Sequence, residues 1–245
     1  MKNRNLLLIL LMGLSLVLNA QTVTIGTQVW MTKNLDVAKF RNGDPIPEAK
    51  TNEEWVKAGE NKQPAWCNYD NNPANGSKYG KLYNWYAVND PRGLAPEGYH
   101  VPTDAEWTKL ENLLGSDAGK KMKSATGWNS YTEGGSKKCP NCASWNGEYR
   151  RKVACHTCKD TRSVSAPTVT KSGNGSNSSG FSGLPGGTRG NSGPFGVIGE
   201  GGLWWSSSGS DTGSAWLRYL GYDGGGVYRG DGDKGVGLSV RCLRD

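Results

Sequence analysis

The chain has 245 residues and a formal net charge of +7, with 36 glycines, ten tryptophans, ten tyrosines and six cysteines. Glycine is near double its usual share of roughly 7%, yet so many large aromatics exclude a disordered chain. No apolar run of membrane length follows residue 20, which excludes a later membrane span.

The first twenty residues read as an address. Lys2 and Arg4 form a charged start, Leu6 to Leu18 is apolar, and Asn19-Ala20 ends in a small residue. That pattern is a secretory signal peptide with cleavage expected after Ala20. No cysteine stands near Ala20, so a lipoprotein anchor is not expected. The 225 residues from Gln21 onward suit one domain, residues 21–245, exported to the periplasm, cell surface or medium. Without Lys2 and Arg4 the charge falls to +5, and Lys137 to Arg162 alone carries +5. The rest is neutral, so no nucleic-acid partner is expected.

In chain order, Val23 to Trp30 reads as a hairpin turned at Gly26. Thr51-x-x-Glu54 is a capping box ahead of Trp55, and Pro64 to Lys81 is turn-rich. Thr103 and Glu106 make a second box, with Asp104 at the positive end of the helix dipole. Trp107, Leu110 and Leu114 then mark a core-facing stripe that Gly115 ends. Gly134 to Gly180 breaks the pattern and reads as an insertion that leaves through the flexible seam Ser172 to Gly180. Val236 to Val240 alternates as one buried closing strand. Twenty-two glycines lie between Lys171 and Asp245, so loops on a modest α+β scaffold are expected there.

Cys139-x-x-Cys142 and Cys155-x-x-Cys158 are two knuckles separated by twelve residues. Four thiolates so spaced suit a closed tetrahedral zinc site, architectural because no position stays open. Export favours disulfides instead, so cross-paired bridges are the alternative, ahead of a redox site. Cys67 and Cys242 remain, most simply as one disulfide tying the turn-rich middle to the last strand, with two buried free thiols as the alternative. Asp231-Gly-Asp233 and Asp70-Asn-Asn offer oxygen donors for calcium, but turn chemistry accounts for them first. His100 reads as structural.

Between Ser206 and Asp233 nearly every residue suits a ligand or a loop. Tyr and Trp give rigid contact area, Ser, Gly and Asp adapt, and Arg anchors. Trp204, Trp205, Ser210, Asp211, Arg218, Tyr219, Tyr222, Asp223, Tyr228, Arg229 and Asp231 are the candidate contacts. Trp204 and Trp205 could serve the core instead, and the bland alternative is a set of glycine-rich hairpin loops without a ligand.

The blocks IGTQVWMTKNL, AWCNYDN, YGKLYNWYAV, GYHVPTDAEWTKLENLLG, GFSGLPGGTR and WWSSS…SVRCLRD resemble the Fibrobacter succinogenes major paralogous domain, over nearly the whole chain after Ala20. That family is similar in turn to the formylglycine-generating enzyme and C-type lectin group, through PTDAEW and the closing SVRCLRD. The resemblance implies an α+β, C-type-lectin-like fold with small antiparallel sheets, one or two helices and long loops. One branch implies an oxidase acting on peptide cysteine through paired C-terminal cysteines, of which this chain has only Cys242. The other implies an exported binding module for a protein or glycan. Such domains also serve as variable proteins of diversity-generating retroelements, whose adenine-directed substitutions fit Ser210, Asp211, Arg218, Tyr222, Asp223, Tyr228, Arg229 and Asp231.

Overall fold

The computed structural model describes residues 21–138 and 163–245. Strands β1 (Thr22–Ile25) and β2 (Gln28–Met31) form the opening hairpin, with Gly26 at φ 62°, a conformation that suits a residue without Cβ. Thr51 caps α1 (Asn52–Glu60), and its reciprocal bonds with Glu54 are those read from the sequence. The turn-rich middle holds more structure than its composition suggests. Strands β3 (Trp66–Cys67) and β4 (Leu82–Tyr83) pair across it, enclosing a 3-10 turn at Tyr69–Asn71 and α2 (Pro73–Tyr79). Pro73 stands in the first turn with Asn72 as N-cap, so Asn-Pro starts a helix here.

Next come α3 (Trp85–Val88), β5 (Tyr99–His100), α4 (Asp104–Leu114) and α5 (Ala118–Met122). Helix α4 has the expected Thr103–Glu106 box and stops at Gly115. Strands β6 (Ser130–Lys138) and β7 (Ser163–Ser172) pair as a ribbon on either side of residues 139–162. The seam that follows is not loose. The amides of Gly175, Ser176 and Asn177 donate to the carbonyls of Ser124, Lys120 and Lys123 at 2.9–3.1 Å, so Ser172 to Gly180 is laid against α5.

The short pair β8 (Thr188–Arg189) and β9 (Phe195–Gly196) leads to β10 (Gly201–Gly209), β11 (Ser214–Gly221) and β12 (Tyr228–Asp233). Residues expected as loops are therefore largely strands. Strand β13 (Leu243–Arg244) closes the chain between β2 and β5. The expected strand Val236 to Val240 makes single bridges instead, Gly237 to Arg189, Leu238 to Tyr83 and Ser239 to Trp204. The result is mixed α and β with small antiparallel sheets. The described residues hold five α-helices rather than one or two, though only α1 and α4 exceed seven residues.

The sheet β10–β11–β12 divides two cores. Neighbouring residues of a strand face opposite ways, so Trp204 and Trp205 enter different clusters. Trp204 packs with Trp30, Trp107 and Phe181, while Trp205 packs with Tyr83, Trp85, Leu217 and Leu238. Phe181 sits 5.7 Å from Trp30, 5.8 Å from Trp107 and 5.7 Å from Trp204, edge-on to each. A third cluster gathers Trp55, Tyr69 and Leu82 under α1.

Trp107 is fully buried on the inner face of α4. Trp107→Ala is expected to cost roughly 3–5 kcal/mol in urea unfolding. A loss below about 0.5 kcal/mol, the range of ordinary surface changes, would show that α4 does not anchor this core.

Candidate functional site

Ten of the eleven candidate contacts separate into three groups, and the eleventh, Tyr219, is half-buried on β11 against the core around Leu217. Trp204, Trp205 and Arg218 are fully buried and are corrected to core residues. The Trp204 indole donates to Asn34 Oδ1 at 2.8 Å and the Trp205 indole to the Tyr83 carbonyl at 2.9 Å. Arg218 lies against α4, where Asp104, Thr108 and Glu111 share one face at helical spacing. Its guanidinium donates to Asp104 Oδ1 at 2.8 Å, to Thr108 Oγ1 at 2.9 Å and to Glu111. Such a group fixes the sheet to the helix and has no surface to offer.

The second group sits on the two hairpin turns. Asp211 is exposed, and its Oδ1 accepts from the Gly213 and Ser214 amides at 2.7 Å, which hold the carboxyl below its usual range. The buried Lys234 ties the same turn by donating to the Asp211 and Thr212 carbonyls at 2.8 and 3.0 Å. At the other end, Tyr222 and Asp223 lead the turn between β11 and β12. The buried Lys123 donates there to the Gly221 and Gly224 carbonyls, both at 2.9 Å. Tyr222 also meets Tyr131 of the ribbon edge-on, at 6.0 Å. Each turn is thus built around a lysine ammonium, a device the sequence gives no means of pairing.

The third group lies on β12, the outer strand of its sheet. Tyr228 is 65% exposed. Arg229 lies over the Trp216 ring at 3.4 Å and binds Asp104 through two bonds of 2.9 Å. Asp231 accepts from Ser210 Oγ at 3.3 Å, which joins the first turn to the strand. Asp104 therefore serves two arginines, one on each of two adjacent strands. Partial burial would raise its pKa, but the bonds from Arg229 and Arg218 prevail and lower it. Trp216 and Asp104 belong to this surface and were not among the candidates. Trp216 could have been found from the alternation of Ala215 and Leu217, which sets its ring on the opposite face.

Residues 23–244 match the family model of the Fibrobacter succinogenes major domain. The chain belongs to this family. No curated protein and no solved structure matches the sequence.

Within this Fibrobacter succinogenes major domain, Cys67 and Cys242 are corrected to buried free thiols. They belong to different core clusters. Burial pushes the thiols up to about 11 and about 12, respectively, so neither is a ready nucleophile. Cys139, Cys142, Cys155 and Cys158 lie outside the described residues. Among the described residues no three His, Cys, Asp or Glu side chains gather as a metal set. Of the calcium candidates, Asp233 Oδ1 accepts the Gly235 amide at 2.7 Å and Asn72 caps α2, which is turn and cap chemistry.

His100 is held between two carboxylates, Asp245 at 2.7 Å and Glu106 at 3.0 Å. Its partial burial works against the charge, but these two bonds prevail and raise its pKa above 6.5. A raised folded-state pKa stabilises fully below the unfolded value and is lost as pH rises through the folded one. Stability should therefore fall as pH rises from about 6.5, and His100→Gln should remove that component in unfolding curves taken across the range. An unchanged profile would show that the imidazole is not charged in the folded state.

The two arginines separate anchor from surface. Arg218→Ala strands Glu111 and leaves Asp104 with Arg229 alone, and is expected to cost about 3–5 kcal/mol. Arg229, with a side chain 42% exposed, should cost under about 1 kcal/mol when replaced by Ala. Equal losses in chemical denaturation would contradict this division.

Proposed function

We propose that the chain is an exported bacterial ligand-binding module with a C-type-lectin-like fold, and that its ligand is a protein or a glycan. The observation that supports it is the position of β12. Tyr228, Arg229 and Asp231 face solvent on an edge strand of a sheet whose other two strands are locked into two cores. Anchoring residues on a rigid support lose little freedom on binding. Tyr222, Asp223, Ser210 and Asp211 flank that strand on turns fixed by Lys123 and Lys234.

Export rests on the Lys2-Arg4 start, the apolar run to Leu18 and the small residue at Ala20. No described helix is long and apolar enough to cross a membrane. Diversification fits the exposed positions, Asp211, Asp223, Tyr228, Arg229 and Asp231. It does not fit Arg218, whose replacement would leave Glu111 without its cation. A structural zinc held by Cys139, Cys142, Cys155 and Cys158 completes the proposal. It predicts about one zinc per chain, released by Cys139→Ser, and native disulfides among these four cysteines would refute it.

The binding reading is tested by joint replacement of Tyr228 and Arg229 with Ala. Capture of ligand from a glycan array or from surface proteins of the source cells should drop at least tenfold, while the unfolding midpoint holds. If the double variant unfolds as readily as Trp107→Ala, these side chains belong to the fold and the reading is wrong.

A further inference from the structure

We infer that the face of the sheet bearing Tyr219 and Tyr228 is a stacking platform for the pyranose rings of an uncharged polysaccharide. This rests on the binding-module reading and supplies its ligand class. Tyr219 and Tyr228 are direct partners across β11 and β12, so both project from one face. Each ring is laid along the sheet over glycine. A Cβ on Gly201 would lie 3.1 Å from Tyr219 Cε2, and one on Gly221 would lie 3.1 Å from Tyr219 Oη. Gly201 and Gly221 are themselves partners across β10 and β11. A Cβ on Gly230 would stand 2.7 Å from Tyr228 Cε1, closer than such atoms come. These glycines let the two rings rest on backbone, with Tyr228 exposed and Tyr219 half-buried where it also packs against the core around Leu217.

Each ring reaches toward the glycine two residues on in its own strand. The strands are antiparallel, so the rings extend in opposite directions and form a strip along the sheet. Tyr228 is the most exposed large hydrophobic among the described residues. The exposed Tyr228 ring, continued inward by the half-buried Tyr219, matches the C–H face of a pyranose chain, with polar groups needed only at the rim to fix orientation. That rim is present. Asp223 Oδ1 lies 3.0 Å from the same Cβ position on Gly221 that Tyr219 Oη approaches. Burial first, then the charges of Asp223 and Glu200, raise the pKa of the Tyr219 phenol, which places both carboxylates near it. The ion pairs of this sheet run between Arg218, Arg229, Asp104 and Glu111 on the opposite face. Asp223 and Glu200 join none of these, so their oxygens are available to sugar hydroxyls.

A peptide partner would use the open backbone edge of β12. An exposed ring laid over glycine, as Tyr228 lies over Gly230, favours the sugar.

The test uses the full chain with soluble hexasaccharides of β-linked glucose, xylose, mannose and N-acetylglucosamine, read by calorimetry and by tyrosine ring resonances. At least one should bind with Kd below about 1 mM. Tyr228→Ala and Gly230→Ala should each weaken that binding at least tenfold without shifting the unfolding midpoint. Gly230→Ala keeps every aromatic and every charge, so its effect reports ring placement alone. Should that variant misfold, Tyr228→Ala and Asp223→Asn carry the comparison. Absence of binding at millimolar saccharide, or binding indifferent to these variants, overturns the proposal. If a protein ligand then still depends on Tyr228 and Arg229, only the ligand class falls. If nothing does, the binding-module reading falls with it.

Discussion

A guanidinium with no carboxylate partner among the described residues holds the centre of this domain. Arg241 is fully buried, and burial pulls its pKa down to about 9, so it remains charged at neutral pH. It donates to the Met31 and Phe181 carbonyls at 3.0 and 2.5 Å and to Asn34 Oδ1 at 2.7 and 3.1 Å, with Phe181 beneath it at 4.4 Å. Asn34 Oδ1 also accepts the Trp204 indole. One amide oxygen therefore joins the opening hairpin, the closing segment and the central sheet. A buried cation is tolerated only when its donors are satisfied, and here carbonyl dipoles from separate stretches of chain meet that demand together. Withdrawing any one of those stretches leaves a charge in an apolar core.

The local features of this arrangement were legible in the sequence. Both capping boxes formed because Thr51 with Glu54, and Thr103 with Glu106, satisfy each other within one helical turn. The opening hairpin followed from strand alternation around a glycine. Family membership was also legible, since its motifs run in order through nearly the whole chain. What failed was the reading of Gly, Asp and Arg as loop residues. In β11, Arg218 interrupts an apolar alternation, and its reason to be buried lies at Asp104, 114 positions away. In β12, Tyr-Arg-Gly-Asp-Gly-Asp has little intrinsic strand preference. It is a strand because β11 supplies a ladder and because Gly230 lies beneath the Tyr228 ring.

The candidate site was legible by residue type and illegible by direction. Aromatic and arginine residues were singled out correctly as the ones that do something particular, but strand parity decides whether each serves core or surface. Trp204 and Trp205 are adjacent and both vanish, because this sheet has a core on either side. Tyr228 and Arg229 are adjacent and both stay exposed, because β12 extends beyond both cores. The turns gave a similar lesson. Asp211 was read from its chemistry, while the lysine that fixes its turn lies 23 positions on and reads in sequence as an ordinary surface charge.

Arg218 and Arg229 show how anchor and surface are joined. They stand directly opposite each other on adjacent strands, and like charges so placed repel. Asp104 removes the conflict by binding both, and Glu111 supplies the second negative charge. The four groups sum to zero, which permits two guanidinium groups on neighbouring residues of a packed sheet. Their roles are not symmetric. Arg218 is enclosed, so its carboxylates are part of the fold. Arg229 is open, with Trp216 already supporting its ring-facing side. If Arg229 is replaced, Asp104 still has Arg218, and if Asp104 is replaced the two arginines face each other with Glu111 alone. The start of α4 therefore sets how far the outer strand is free to vary. Positions on β12 tolerate change to the extent that Asp104 does not change with them.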